Sequence, residues 1–410
     1  MKILYDHQIF SLQKFGGISR YFYELMKHSD GLFEYDVSGI FSENEYIKKL
    51  KLYKRFPIER HFRGKWRIIN FLNYINKLNY KKRINKKRYS IIHPTYYDPY
   101  ILKIIKKDPL IINAHDIIFE KKNECINRKN NTPENKNNEL PLFKKEFISE
   151  KQGYILFTGQ RGGYKNFDRF IEAVAPLLSR YDLQLICTGQ PFNNEEVELL
   201  RLYEIEDRVI IKFVSESELQ DLYAKALIFV FPSLYEGFGI PILEAFASGC
   251  PAILSNASCL PEIAEDAAVY FDPYSVEDMR QTIERVLLDR SLQSSLIKKG
   301  YERIKYFSWE KTAKQTYELY CKVLSSSASS LNKIPLVLTV YDMIYELFPK
   351  YFSDKDKTAL NKYIMMLNAD KIIAISKNTK MDIIKFYPGI DEAKIEVVYL
   401  GTSFNVKGCT

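Results

Sequence analysis

Cysteine is sparse and scattered in this chain, at positions 125, 187, 250, 259, 321 and 409, with no Cys-x-x-Cys pair. A chain of 410 residues buries enough apolar surface to fold without covalent staples, so no disulfide framework is expected and a reducing compartment fits. No stretch approaches the ~20 consecutive apolar residues that cross a bilayer. The opening residues MKILYDHQIF lack the charged-then-apolar pattern of a signal segment. A cytoplasmic location is therefore the expectation. No G-x-G-x-x-G follows a strand, which disfavours a dinucleotide oxidoreductase.

With 46% apolar residues, the chain is long enough for two domains at ~100 to 200 residues each. The net charge of +9 is concentrated: residues 48–88 hold sixteen Lys or Arg against one acid, Glu59, so the remainder is net acidic. From Gly153 onward, apolar runs (YILF, LQLIC, RVIIKF, LIFVF) alternate with helical segments. That alternation predicts a parallel sheet covered on both faces. Upstream lies NECINRKNNTPENKNN, with seven Asn in sixteen residues, which reads as an exposed linker. SSSASSLNK (325–333) reads as a second linker. Beyond it PLVLTVYD, ADKIIAIS and KIEVVYLG return to strand and helix. Pro109–Glu120 and Pro335–Glu346 share five identities in twelve positions, as a repeat of one strand segment would.

Two constellations carry chemistry. In SLYEGFGIPILEAFASG, Glu236 and Glu244 stand eight apart across a strand-to-helix turn. Pro241 suits a first helical position, and Gly237, Phe238 and Gly239 form a loop whose backbone N–H groups can face an anion. From there Glu236 can reach a sugar hydroxyl and Glu244 a second hydroxyl pair such as a ribose. In FTGQRGGYKNFDRF, Arg161 and Lys165 precede a helix expected to be capped by Asn166. Two cations beside a helix N-terminus suit a diphosphate, whose charge grows when it departs as a leaving group.

Arg161, Lys165 and the Glu236-x7-Glu244 pair around Gly-Phe-Gly resemble the family-four retaining glycosyltransferases of the GT-B fold. That resemblance implies an α/β architecture of two Rossmann-like parallel-sheet domains facing across a cleft. It further implies that Gly16 and Gly17 of FGGISRY face the donor phosphates, with Arg20 near the acceptor or phosphates. The nucleobase would lie against the backbone near Phe213 and Val214. A residue touching the sugar follows an N-domain strand. His115 (with Asp116) in the first copy, or Tyr341 with Asp342 in the second, fills that slot, and the second copy is the more complete. No cofactor and no metal are implied.

The chain departs from the family in order, because TVYDM, ADKIIAISKNT and IEVVYLG come last instead of before the donor half. The expected division is therefore 1–120 plus 335–405 as the acceptor-side domain, 121–150 as linker and 151–306 as the donor domain. A crossover helix over 307–324 and a linker over 325–334 complete it, as in a circular permutation. The resemblance leans towards a hexosyltransferase, a mannosyltransferase using GDP-mannose in surface-polysaccharide assembly on a glycan or lipid-linked acceptor. A nucleotide-sugar epimerase of the same fold, or a non-catalytic donor-binding remnant, are the alternatives. The basic segment with its interleaved aromatics suits an anionic membrane at its inner face, with nucleic acid as the competing polyanion and a merely solvated face as the third reading. No nucleic-acid fold signature accompanies it, so no nucleic acid is expected as a partner.

Overall fold

A computed structural model describes residues 1–51, 54–55, 65–86, 89–105, 153–326 and 334–406. His115, Asp116, the first copy at 109–120 and the Asn-rich segment lie outside the described residues.

The first half builds β1 (Lys2–Tyr5), β2 (Glu34–Val37), β3 (Phe41–Ser42), β4 (Lys54–Arg55) and β5 (Ile91–His93). β1 lies between β2 and β5, parallel to both, with Tyr5 opposite Val37 on one side and His93 on the other. β3 and β4 pair separately. The central half builds β6 (Tyr154–Phe157), β7 (Gln184–Thr188), β8 (Val209–Lys212), β9 (Ile228–Phe231), β10 (Ala252–Ser255) and β11 (Ala268–Phe271). These form one parallel sheet in the order β11-β10-β9-β6-β7-β8. β6, β9 and β10 are buried at every position, which is why β6 and β9 read as unbroken apolar runs instead of alternating ones, with β10 broken only by the buried Ser255.

The tail adds β12 (Val337–Val340), β13 (Lys371–Ala374) and β14 (Ile395–Val397), again parallel. A parallel bridge joins Ile92 to Leu336, and the Ile92 amide donates to the Pro335 carbonyl at 2.9 Å. β12 thus lies beside β5, and the strands run β2-β1-β5-β12-β13-β14 across the bridge. The helix Trp309–Ser326 returns from the central half to this assembly. Its Tyr320 hydroxyl bonds Tyr5 at 3.1 Å and His93 Nδ1 at 2.6 Å, while His93 Nε2 meets Thr339 Oγ1 at 2.8 Å. One buried imidazole therefore ties β5, the returning helix and β12 together.

In both assemblies the chain steps to one side of its first strand and later to the other. The resulting switch points lie between β6 and β9 and between β1 and β5. Open parallel sheets bind ligands outside the carboxyl ends of the strands at such points.

Burial also sets the pH response. It lowers the pKa of His7 and of His93 to about 3, so both rings fold neutral. The unfolded chain takes up these protons near pH ~6.5, so their contribution is complete above that pH and is lost on acidification towards 3. Asp6 has the opposite sign: burial outweighs its hydrogen bonds from Thr95 and Gln8 and raises it to about 6, so its contribution is lost as pH rises through 6. Denaturant titrations should therefore show stability falling by roughly 1.4 kcal/mol per pH unit for each histidine below pH ~6.5, with Asp6 offsetting one of them below 6. His93→Gln should flatten that slope; an unchanged slope would remove His93 from the account.

Candidate active site at the strand ends

The β6–β9 switch point brings two loops together. After β6 the chain passes Gly159, at φ +98°, and a short 3-10 turn over Gly163–Lys165. Asn166 does not cap the following helix, Phe167–Arg180, with its side chain as the sequence suggested. The preceding turn leaves it left-handed at φ 60°, and its Nδ2 instead donates to the carbonyls of Pro232 (3.1 Å) and Pro273 (2.8 Å). Leu234 N donates to Tyr164 O at 2.8 Å, so the loop after β9 is held against the loop after β6. Lys165 Nζ consequently meets Glu236 Oε1 at 2.6 Å. Both side chains are mostly buried, at 16% and 12% exposure. Ser258 Oγ accepts from Glu236 N at 2.9 Å, and Cys259 Sγ lies 3.1 Å from Glu236 O.

Gly237 has a reason to be glycine: a Cβ built there would sit 1.7 Å from the carbonyl oxygen of Tyr341. The tail strand β12 thus delivers Tyr341 and Asp342 directly onto the donor-side loop. Phe238 is buried against Phe307 and Tyr399. Gly239 is left-handed at φ 90° and opens the helix Ile240–Ala247, a conformation that costs a residue with Cβ but not glycine.

Glu244, inside that helix, does not stand free. Its Oε1 receives Arg20 Nη1 at 2.6 Å, and Tyr223 OH lies 3.4 Å from Oε2. Arg20 sits on the helix Gly17–Lys27 of the first half, so this buried ion pair spans the two halves. Arg20 Nε lies 3.7 Å from Glu216, yet among the described residues neither Nε nor Nη2 has a hydrogen-bond partner. Gly16 and Gly17 lead into the same helix, and a Cβ at Gly17 would meet nothing within 4 Å. Next to them Phe15 lies edge-on to Phe213, with ring centroids 6.3 Å apart and both rings exposed; Val214 is half-buried beside it.

Arg161 behaves differently from the expectation of a second cation beside Lys165. Its Nε and Nη2 are committed to Glu196 (3.0 and 3.1 Å) and to the carbonyls of Gln190 (2.7 Å) and Pro191 (3.0 Å), and its guanidinium lies over Phe192. The geometry is that of a strut between the loops after β6 and β7.

Several contacts carry no signal in the sequence. Lys362 is wholly buried, donating to Glu346 Oε2 at 2.9 Å and to the Asp342 carbonyl at 2.7 Å, while Tyr387 OH donates to Glu346 Oε1 at 2.7 Å. Glu262 of the central half accepts from Lys377 N (2.7 Å) and Asn378 N (2.9 Å), closing the N-terminus of the tail helix Lys377–Phe386. A lysine in an amphipathic helix and a glutamate near a turn read as surface residues; only a partner distant in sequence makes them structural.

Residues 139–303 match the family described as glycosyl transferases group 1. Within the curated relatives, the chain is 35% identical over 187 residues to the O-antigen chain mannosyltransferase B of Escherichia coli, covering 44% of this chain and 49% of that protein. It is 32% identical over 146 residues to the O-antigen chain mannosyltransferase RfbU of Salmonella typhimurium, covering 35% of this chain and 41% of that one. The chain thus spans about half the length of these relatives or less. In fold it is similar to the sucrose-phosphate synthase from Thermosynechococcus elongatus, with a TM-score of 0.54 at 17% identity over 80% of this chain and all of that one. The expected α/β architecture of Rossmann-like parallel sheets is therefore the one found, and its structural neighbours are GT-B glycosyltransferases.

The strut reading of Arg161 is testable by separating stability from chemistry. Arg161→Met removes the cation from the mostly buried Glu196 carboxylate, which among the described residues keeps only the Asn193 N–H at 2.9 Å, and this should cost about 3 kcal/mol in chemical denaturation. A variant as stable as the parent but unable to bind a nucleoside diphosphate would return Arg161 to the anion site.

Proposed function

We propose that this chain is a retaining glycosyltransferase that moves a mannosyl group from GDP-mannose to a surface-polysaccharide or lipid-linked acceptor. The observation that carries the reading is the Lys165–Glu236 pair, set at a sheet switch point beside the glycine-led helix Ile240–Ala247. The glycosyl transferases group 1 match covers these residues, and relatives named as mannosyltransferases match 44% and 35% of the chain.

Each carboxylate there is neutralised by a cation that a donor would use. The diphosphate takes Lys165 and the unpartnered Nη2 of Arg20, together with backbone N–H groups of the 237–239 loop. Glu236 is then released to a sugar hydroxyl and Glu244 to the ribose. The base rests near Phe213 and Val214, with Phe15 closing over it. Asp342, held by Lys362, lies on the sugar side with Tyr341 behind it, while Gly16 and Gly17 let the phosphates approach. The anomeric C–O bond breaks with its electron pair leaving on the diphosphate. The acceptor oxygen bonds the same face, and its proton passes to the departing phosphate oxygen. Glu236 orients and does not attack.

In this reading 1–120 and 335–405 form one acceptor-side domain in permuted order and 151–306 the donor domain, with 307–324 crossing between them. The bridge from Ile92 to Leu336 and the hydrogen bond from Tyr341 N to Tyr97 OH (3.2 Å) support it. An epimerase would instead convert the nucleotide-sugar without an acceptor, and a remnant would bind it without turnover. Incubation with GDP-mannose, with and without a mannose-terminated acceptor, separates the three.

Glu236→Gln and Lys165→Ala should each lower kcat/KM by ~10²- to 10³-fold, as removal of one preorganised charge-stabilising group does. Each change also breaks a mostly buried ion pair, so a few kcal/mol of stability, roughly 3, should be lost as well, and activity is read at a temperature where the variants remain folded. Near-parental kcat/KM in the folded variants would sink these roles.

The membrane contact is part of the same proposal. Among the described residues no helix is long and apolar enough to cross a bilayer. The helix Lys65–Asn85, however, has no acidic residue and exposes Phe71 and Leu78, seven apart and so on one stripe. That combination suits an anionic surface. Lys81→Gln, Lys82→Gln and Lys86→Gln together should weaken binding to phosphatidylglycerol vesicles by roughly 1 kcal/mol per charge removed, with transfer to a soluble acceptor preserved. Unchanged vesicle binding would remove the membrane from the reading.

A further inference from the structure

The second switch point, between β1 and β5, lies apart from the donor loops and holds a cavity of about 510 Å³. That volume falls within the ~300 to 1,000 Å³ of small-molecule sites. Its walls come from the loop after β1, the loop after β5, the basic helix Lys65–Asn85 and the tail helix Thr358–Asn368.

We infer that this cavity is a sugar subsite, holding a ring of the acceptor glycan other than the one that reacts. The inference rests on the transferase reading for the identity of the acceptor, but the site itself is built from independent observations.

The first is an unmet hydrogen-bonding demand. His7 is 2% exposed, lines the cavity, and its Nδ1 has no partner among the described residues; Ser11 Oγ, also of a lining residue, is buried and likewise without one among them. A buried polar atom left unpaired costs ~1 to 3 kcal/mol; both atoms are closed to solvent, so a ligand hydroxyl recovers that cost by turning the imidazole or the hydroxyl into the cavity. The second is charge. Lys77, the cavity's cation, is paired to Asp98 at 2.7 Å and lies over the Tyr100 ring at 4.5 Å. The lining is therefore neutral in sum, and burial keeps the His7 imidazole neutral too. Among the described lining residues a phosphate or carboxylate would have to take Lys77 from Asp98, whereas a hydroxyl can donate to or accept from a neutral imidazole without breaking a pair. The third is shape and surface. Tyr74 is 58% exposed at the rim and offers a ring face, while Asn73 and Asn361 place amides on two sides. An uncharged ring with hydroxyls at its edge and an apolar face is the chemistry of a hexopyranose.

Its distance from the chemistry follows from connectivity. Every lining residue belongs to the first half or the tail, and none to the donor half. Tyr97 is both a wall of the cavity and the acceptor of the Tyr341 amide, and the Tyr341 carbonyl is what presses on Gly237. A ring in the cavity is thus separated from the donor loop by the Tyr97–Tyr341 layer. It grips the acceptor chain one or more units back from the accepting hydroxyl.

The test uses the full chain with methyl α-mannoside, mannobiose and mannotriose. Saturation-transfer NMR without nucleotide should show mannobiose and mannotriose binding to the parent, with affinity lowered about tenfold in Tyr74→Ala and in Asn361→Ala. Both positions are on the cavity rim, so folding is preserved where His7→Leu could abolish it. In transfer assays the parent should prefer mannotriose over methyl α-mannoside by kcat/KM, and the variants should lose that preference while binding GDP as the parent does. Sugar binding unaffected by either variant, or displaced by inorganic phosphate, would overturn the subsite. Absence of transfer from any nucleotide-sugar, with variant-sensitive sugar binding intact, would overturn the transferase reading and leave the cavity standing as a sugar site.

Discussion

The pairing of Leu336 with Ile92 is the constraint on which the rest of the molecule depends. Without it the first half offers three short parallel strands, with the edge of β5 open and its apolar positions uncovered. Parallel strands are stable only when both faces and both edges are managed. β12 covers that edge, and the strand that covers it also ends in Tyr341 and Asp342, which lie against Gly237. Completion of the sheet and assembly of the cleft are therefore one event. His93 reinforces it from beneath, with a neutral imidazole satisfied at both nitrogens by hydroxyls from different segments.

Charge in the cleft is arranged in pairs. Lys165 faces Glu236 within the central half, and Arg20 faces Glu244 between halves. Buried pairs of this kind return little net stability, because desolvation consumes most of the Coulomb gain. In the proposed function their value lies in what would replace them: an anionic diphosphate with neutral hydroxyls attached would compete for the cations while giving the carboxylates new partners. The Arg20–Glu244 pair adds a mechanical consequence, since it holds the two halves together when the cleft is empty and must be re-formed around any ligand that enters.

The two switch points differ in what lines them. At β6–β9 the loops carry the Lys165–Glu236 pair and glycines, and at β1–β5 the described lining is neutral in sum, aromatic and amide-bearing, a contrast that the two proposals draw on. Both switch points follow from the same winding rule, in which loops at the carboxyl ends diverge and leave a crevice. Side-chain type then decides what each crevice accepts.

By itself the sequence determined the parallel sheet of the central half, because strands buried on both faces must be continuous apolar runs, and YILF and IFVF are such runs. It also placed Glu236, Glu244 and Lys165 at helix starts after strands, since glycine and proline punctuate those turns. What it could not determine is pairing over long range. Arg161 and Lys165 are four apart and look equivalent, yet one is a strut to Glu196 and the other meets Glu236, because adjacent loops diverge in space. Asn166 has the residue type of a cap but a left-handed backbone set by the preceding turn. Lys362, Glu262 and His7 carry no local mark at all. Their roles exist only where the tertiary structure brings a distant carboxylate, a helix end or an empty cavity against them, and desolvation there turns an ordinary polar residue into one that must find a partner.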